Sequence, residues 1–320
     1  MEIYRDLTPA GRECAVALGM FDGLHLGHRK VISLALEGAA RGLAPAVLTF
    51  ADNPKLRGID GGALLSQKEK IRLLREMGVE FLYLLDFASV KNISAEDFVR
   101  SVLKNACMAE EACCGFNYTF GRGGKAGSGE LRRLCAACGI GTKKLFLNGI
   151  GVSVAPAVLA DGEPVSSTRI RALIRAGDVE KAALLLGRPF GYELPVVPGQ
   201  HLGRRLGTPT LNQRIPPESV LPKFGVYASL AEAEGRSFCG VTNVGVHPTV
   251  GVSRAALAET WMPEYAGPPL YGRETRVSLL KFLRPERKFP SLAALQEEIR
   301  RNGAQSLAYF REKFPDSGAR

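Results

Sequence analysis

Five consecutive small and apolar residues, Cys14-Ala-Val-Ala-Leu18, run directly into Gly19-Met-Phe-Asp-Gly-Leu-His-Leu-Gly-His28, after which Val31, Ile32, Leu34, Ala35 and Ala39 recur at helical spacing. The first run suits a buried strand and the last set marks one face of a helix. A strand-to-helix turn therefore carries the glycines and both histidines. Glycines let the backbone approach a ligand closely, and the exposed amides of a new helix face anything anionic. His25 and His28, three residues apart, point at the same place. The turn reads as a phosphate site with two movable protons, and it holds two of the chain's four histidines, which argues against an incidental pair.

The stretches that follow repeat this alternation. Residues 44–50 form an apolar run fit for a second strand, Lys68 to Met77 has helical spacing, and Glu80 to Leu85 is again strand-like. Ser94-Ala-Glu-Asp97 has a cap serine and an acidic first turn ahead of Phe98, Val99, Val102 and Leu103. Cys113 to Phe116 reads as a short strand. Strands alternating with helices at this spacing predict a parallel, doubly wound sheet with its ligand crevice at the carboxyl ends of the strands. The glycine-rich run Gly121 to Gly129 matches neither the Walker A nor the GxGxxG spacing, and it reads as a mobile loop over a site. At Val165-Ser-Ser-Thr-Arg-Ile-Arg171 hydroxyls open a helix with an arginine one turn later. This is either a second anion-binding corner or a simple cap beside a solvated arginine.

Beyond about Pro189 helical periodicity gives way to short apolar runs, Leu194–Val197, Gly225–Leu230, Phe238–Val241 and Arg276–Leu283, separated by Gly and Pro. These predict an antiparallel barrel or sandwich, closed by a helix that starts near Ser291. A boundary at 185–190 suits a chain of 320 residues, long for one domain. With 46% hydrophobic and 23% charged residues, the chain can bury real cores. The stretch around Glu2, Arg5 and Asp6 has no leader pattern and no run approaches a membrane span, so a cytoplasmic protein is expected. Seven cysteines fit a reducing compartment, with Cys135, Cys138, Cys113 and Cys114 read as buried packing residues rather than zinc or redox ligands. The net charge of +10 suits nucleic acid and nucleotide polyphosphates equally.

Five motifs in order resemble the bacterial bifunctional riboflavin kinase/FAD synthetase family: Gly19-x-Phe21-Asp22-Gly23-x-His25-x-Gly27-His28, Val165 to Arg171, Gly203-Arg-Arg-Leu-Gly207-Thr-Pro209-Thr210-Leu-Asn212, Gly225-Val-Tyr227 and Leu270-Tyr271-Gly272. The resemblance runs from about residue 14 to about 312. It implies an α/β fold: a Rossmann-like nucleotidyltransferase sheet over residues 1–186, and an antiparallel β-barrel riboflavin kinase domain with a closing helix over 187–320. The implied substrates are ATP, riboflavin and FMN, with Mg²⁺ as cofactor and neither membrane nor nucleic acid as partner; self-association stays open. For adenylyl transfer it implies Gly19, Phe21, Asp22 and Gly23 around the nucleotide, His25 and His28 on the triphosphate, and Ser167, Thr168 and Arg171 on the departing pyrophosphate. Asn117 and Thr119 would lie near the flavin. For the kinase it implies Gly203, Gly207 and Pro209 at the nucleotide, Thr210 and Asn212 as magnesium ligands, and Glu259 as the base, with Glu264 the next candidate.

Three positions depart from that pattern. Asn53 stands where the family carries a histidine, Trp261 stands two residues after the base where another histidine is usual, and Leu211 replaces alanine. Asn53 lies on the adenylyl-transfer side and could slow that reaction. Two further readings are therefore carried: a riboflavin kinase with a weakened or re-purposed first half, and a flavin-responsive RNA-binding regulator.

Overall fold

The protein is described here by a computed structural model covering residues 1–51, 61–139, 151–199, 207–246 and 256–314. Its contacts gather into two compact units, Met1–Arg57 with Gln67–Ser166, and Gly58–Ser66 with Ser167–Arg320.

The first unit is a six-stranded, wholly parallel sheet in the order β1-β4-β3-β2-β5-β6. Its strands are β1 (Glu2–Tyr4), β2 (Cys14–Leu18), β3 (Ala44–Phe50), β4 (Phe81–Leu85), β5 (Ala109–Gly115) and β6 (Val152–Ala155). Every residue of β2 and β4 is buried, as expected of strands covered on both faces, which read as unbroken apolar runs. Helix α1 (Leu26–Glu37) turns Val31, Ile32 and Ala35 inward, and α2 (Gln67–Glu76) turns Leu73 and Leu74. After β4 come α3 (Phe87–Val90) and α4 (Ala95–Asp97), the latter capped by Ser94, whose side chain accepts from the Asp97 amide at 3.0 Å. What the periodicity predicts as a continuing α-helix is instead a π-helical run, Phe98–Ala106, which closes with Cys107 N–H donating to the Val102 carbonyl at 2.9 Å. Phe98, Val99, Val102, Leu103 and Ala106 remain buried in it.

Strand β5 starts earlier than Cys113, and two glutamates lie inside it. Glu111 accepts from Ser153 Oγ at 2.5 Å and pairs with Arg41, while Glu110 lies 3.4 Å from Lys104 Nζ. Paired in this way, the carboxylates are buried in a central strand that hydropathy alone ends at the cysteines. The run Gly121–Gly129 is not one open loop: a 3₁₀ turn at Arg122–Gly124 and a bridge between Phe120 and Ala126 lead into α5 (Ser128–Ala137). Cys135 is buried on α5 with Leu131 and Leu134. A two-residue hairpin, β7 (Leu159–Ala160) with β8 (Glu163–Pro164), follows.

The second unit opens with α6 (Ser167–Ala176) and α7 (Val179–Leu186), then forms an antiparallel six-stranded sheet in the order β10-β13-β12-β11-β14-β9. The strands are β9 (Phe190–Pro195), β10 (Thr210–Ile215), β11 (Gly225–Ala233), β12 (Arg236–Val246), β13 (Ala256–Trp261) and β14 (Glu274–Arg284). A bridge between Val197, just past β9, and Asn212 on β10 brings the two edges together, so the sheet is a nearly closed barrel. β13 alternates buried and half-buried residues along its length, the pattern of a sheet with one face inward. Helix α8 (Leu292–Lys313), capped by Ser291, lies on the outside. Its Ser306 Oγ donates to the Gly240 carbonyl at 2.7 Å, and its buried Glu298 meets Arg284, Arg287 and Arg301.

Candidate active sites

In the first unit the turn between β2 and α1 is wound tightly. Phe21 (φ 48°), Gly23 (φ 89°) and Leu24 (φ 43°) all lie in the left-handed region, which costs a non-glycine residue energy that the surroundings must offset. The Met20 carbonyl accepts from Thr49 Oγ1 at 3.0 Å and from Lys70 Nζ at 3.2 Å, fixing the turn to β3 and α2. His25 is the N-cap of α1, its Nδ1 accepting from the His28 amide at 3.3 Å. The two imidazoles stack with centroids 3.6 Å apart and planes 16° from parallel, and Phe21 stands edge-on to His28 at 5.4 Å. Gly27 is needed here for space, since a Cβ there would come within 3.2 Å of the His25 ring; at Gly19 one would press on Phe21 at 3.0 Å. Asp22 and His25 are buried.

His28 Nδ1 is closed from solvent and has no hydrogen-bond partner among the described residues. Burial, then the neighbouring His25 and Lys70, hold this imidazole well below the usual histidine range, which favours the neutral ring. A neutral ring with an unsatisfied nitrogen is a hydrogen-bonding group in wait. Asn117 and Thr119 follow the carboxyl end of β5, both exposed, next to a half-exposed Phe116. They emerge at the end of the sheet where β2 delivers the histidine turn, since β2 and β5 are parallel neighbours.

Ser167 and Thr168 open α6, and Arg171 is buried one turn later with its Nε donating to the Gly62 carbonyl at 2.8 Å. These three belong to the second compact unit. Asn53 and Gly203 lie outside the described residues.

In the barrel, Gly207, Thr208 and Pro209 lead into β10, with Gly207 at φ 70°. The antiparallel register sets Asn212 opposite Glu259 and Thr210 opposite Trp261. On its other side Glu259 faces Asn243 of β12. Directly opposed residues project from the same face, so Asn212, Glu259 and Asn243 form one row, with Thr210 two residues along it. Asn212 is 4% exposed and its Oδ1 is closed from solvent without a hydrogen-bond partner among the described residues. Gly199 leaves room for that amide, which a side chain there would strike. Further along the same face an apolar cavity of about 220 Å³ is lined by Cys239, Trp261, Pro263, Gly303, Ala304 and Leu307, among others. Glu264, the alternative base, also borders this cavity rather than the Asn212 row.

The FAD synthetase family model matches residues 7–169, and the riboflavin kinase family model matches residues 186–310. The chain belongs to the bifunctional riboflavin kinase/FMN adenylyltransferase family. Proteins so named from Listeria monocytogenes serovar 1/2a and Bacillus subtilis strain 168 are each 31% identical, over 92% of this chain and 92% of theirs. One from Pseudomonas fluorescens is 32% identical over 95% of both chains. The fold is also that of a Streptococcus pneumoniae crystal structure described as a macrolide-efflux protein, with a TM-score of 0.82 and 28% identity over 96% of this chain and 98% of that one. No described helix of the present chain is long and apolar enough to cross a membrane.

Within this family frame, motif spacing pointed to the histidine turn and the Thr210–Asn212 strand, but not to Lys70, Asn243 or Phe116. Lys70 follows Lys68 and Glu69 on a charged helix, and nothing in its spacing marks it. Asn243 depends on strand register, and Phe116 reads as one more apolar residue at a strand end.

Proposed function

We propose that the two halves run successive ATP-dependent steps, with the functional boundary at 186/187. The barrel converts riboflavin and ATP to FMN and ADP. The parallel-sheet half converts FMN and ATP to FAD and pyrophosphate. The observation that carries the reading is the cross-strand row in which Glu259 stands opposite Asn212, whose buried oxygen has no partner among the described residues.

In the kinase step the primary ribityl hydroxyl gives its proton to Glu259 as its oxygen attacks the γ-phosphorus, and the bond to ADP breaks. Thr210 and Asn212 would hold Mg²⁺, a hard ion that takes oxygen ligands, and the orphaned Asn212 Oδ1 fits that demand. Bound there, the ion would neutralise charge on the β- and γ-phosphates. The cavity beside Trp261 suits the flavin ring, which is flat, apolar on its faces and able to stack on an indole. The family pattern assigns Gly203, Gly207 and Pro209 to the nucleotide.

In the adenylyl step an FMN phosphate oxygen attacks the α-phosphorus of ATP, and the bond to pyrophosphate breaks. No protein nucleophile is required, so the residues stabilise charge rather than form bonds. Gly19, Phe21, Asp22 and Gly23 shape the turn, and the first amides of α1 with His25 and His28 bind the triphosphate. Asn117 and Thr119 meet the flavin, and the family pattern assigns Ser167, Thr168 and Arg171 to the pyrophosphate. The substrates are small molecules, with no call for membrane or nucleic acid. The cytosol supplies ATP and keeps seven unpaired thiols reduced.

The test is one incubation of the full chain with riboflavin, ATP and Mg²⁺, resolved by chromatography beside His28→Ala. The parent should give FMN and then FAD, whereas the variant should stop at FMN. Absence of both products in the parent refutes the assignment. FMN without FAD in the parent restricts it to the kinase half.

A further inference from the structure

The histidine turn has a cationic member that lies outside the motif. Lys70, in the first turns of α2, reaches the Met20 carbonyl with its ammonium at 3.2 Å, and Thr49 from β3 donates to the same oxygen at 3.0 Å. That carbonyl immediately precedes the left-handed Phe21, so the two donors bear on the most strained part of the turn. A single carbonyl with two donors, one charged, ties the turn to two separate elements. The Lys70 charge also acts on Asp22 in the turn and on His28 at the start of α1.

We propose that Lys70 is a positioning residue of the adenylyl-transfer site, tying the Met20–Leu24 turn to α2 so that the first amides of α1 and the two imidazoles are set for a triphosphate. The inference rests on the adenylyl-transfer reading above. Burial lowers the affinity of Lys70 for its proton, and the Asp22 carboxylate opposes that shift. A charged donor on the Met20 carbonyl holds the turn more firmly than a neutral one would.

The experiment measures FAD formation from supplied FMN and ATP, and FMN formation from riboflavin and ATP, in the full-length parent, Lys70→Met, Lys70→Gln and Lys70→Arg, with the ring resonances of the four histidines followed by NMR. Lys70→Met should lose about tenfold in kcat/KM for ATP in FAD formation, equivalent to about 1.4 kcal/mol, and should shift the His25 and His28 ring resonances, with FMN formation unchanged. Lys70→Arg keeps a charged donor for the Met20 carbonyl and should restore both readouts. Lys70→Gln keeps a neutral donor, should fall between the two, and remains informative if Lys70→Met does not fold. Parent-like kcat/KM and unmoved histidine resonances in Lys70→Met, or in Lys70→Gln where Lys70→Met does not fold, overturn the inference while leaving the adenylyl-transfer reading intact. A parent that makes no FAD overturns that reading instead.

Discussion

The sharpest consequence of the barrel register concerns Glu259. Strand β13 is hydrogen-bonded on both sides, to β10 and to β12, so its backbone cannot slide to compensate for a changed side chain. Glu259→Gln keeps shape and volume but cannot accept the ribityl proton. General-base removal of this kind costs about 10²- to 10⁴-fold in rate, or roughly 3 to 5 kcal/mol of transition-state stabilisation. Glu259→Asp keeps the base but withdraws it by about one carbon–carbon bond, ~1.5 Å. At about 10²-fold per ångström of misplacement, it too should be crippled, by about 10³-fold, the middle of the glutamine range. The assay is FMN formation from riboflavin and ATP, read by chromatography, with FAD formation from supplied FMN as the control in the other half of the chain. FMN formation should fall far below the parent in both variants, with FAD formation equal in all three. A Gln variant retaining more than about a tenth of parental FMN formation would refute the assignment of the base, and equal loss of both activities would point to general unfolding.

Three further outcomes follow from other parts of the structure. Asn212→Ala removes the orphaned oxygen, so FMN formation should need about tenfold more Mg²⁺ for half-maximal rate, while Asn212→Asp should keep the metal requirement near the parent's; a Mg²⁺ titration of both checks this. Gly38→Ala sets helix propensity against packing, because a Cβ there would lie 2.5 Å from the Ala15 Cβ under α1; overpacking of about 1–3 kcal/mol should outweigh a propensity gain of about 1 kcal/mol, and calorimetry should show a lower Tm. His28 has a depressed pKa in the folded protein, so its unfolded form binds the proton more readily. Stability from keeping this ring neutral is fully present above the unfolded pKa and is lost as pH falls through the folded one. Urea unfolding at several pH values should therefore show a steeper acid loss in the parent than in His28→Gln.

Much of the fold could be read from hydropathy because its signals are local. The unbroken apolar runs of β2, β3 and β4 sit in the interior of a parallel sheet, and Ser94 and Ser291 cap the helices that their positions predict. The expectations that needed revision turn on partners distant in sequence. Glu110 and Glu111 mask the start of β5 because Lys104, Arg41 and Ser153 compensate them only in the folded chain. β13 is hidden because its alternation, Ala-Leu-Ala-Glu-Thr-Trp, becomes a strand pattern only once β10 and β12 flank it. Gly121–Gly129 reads as loop throughout, yet Ser128 already begins a helix.

The candidate sites divide in the same way. His25 and His28 lie three residues apart on one turn, so geometry follows from spacing alone, and the chain itself determines that they meet. Glu259 and Asn212 are separated by 47 positions, and their meeting is a property of strand register. Lys70 lies 50 residues from Met20, and only the packing of α2 against the turn gives it a place there. Local sequence therefore specified which chemistry is present, because backbone turns and helix starts depend on neighbours. Tertiary structure decided which charges and oxygens share a desolvated corner, because desolvation and Coulomb interaction depend on distance through space.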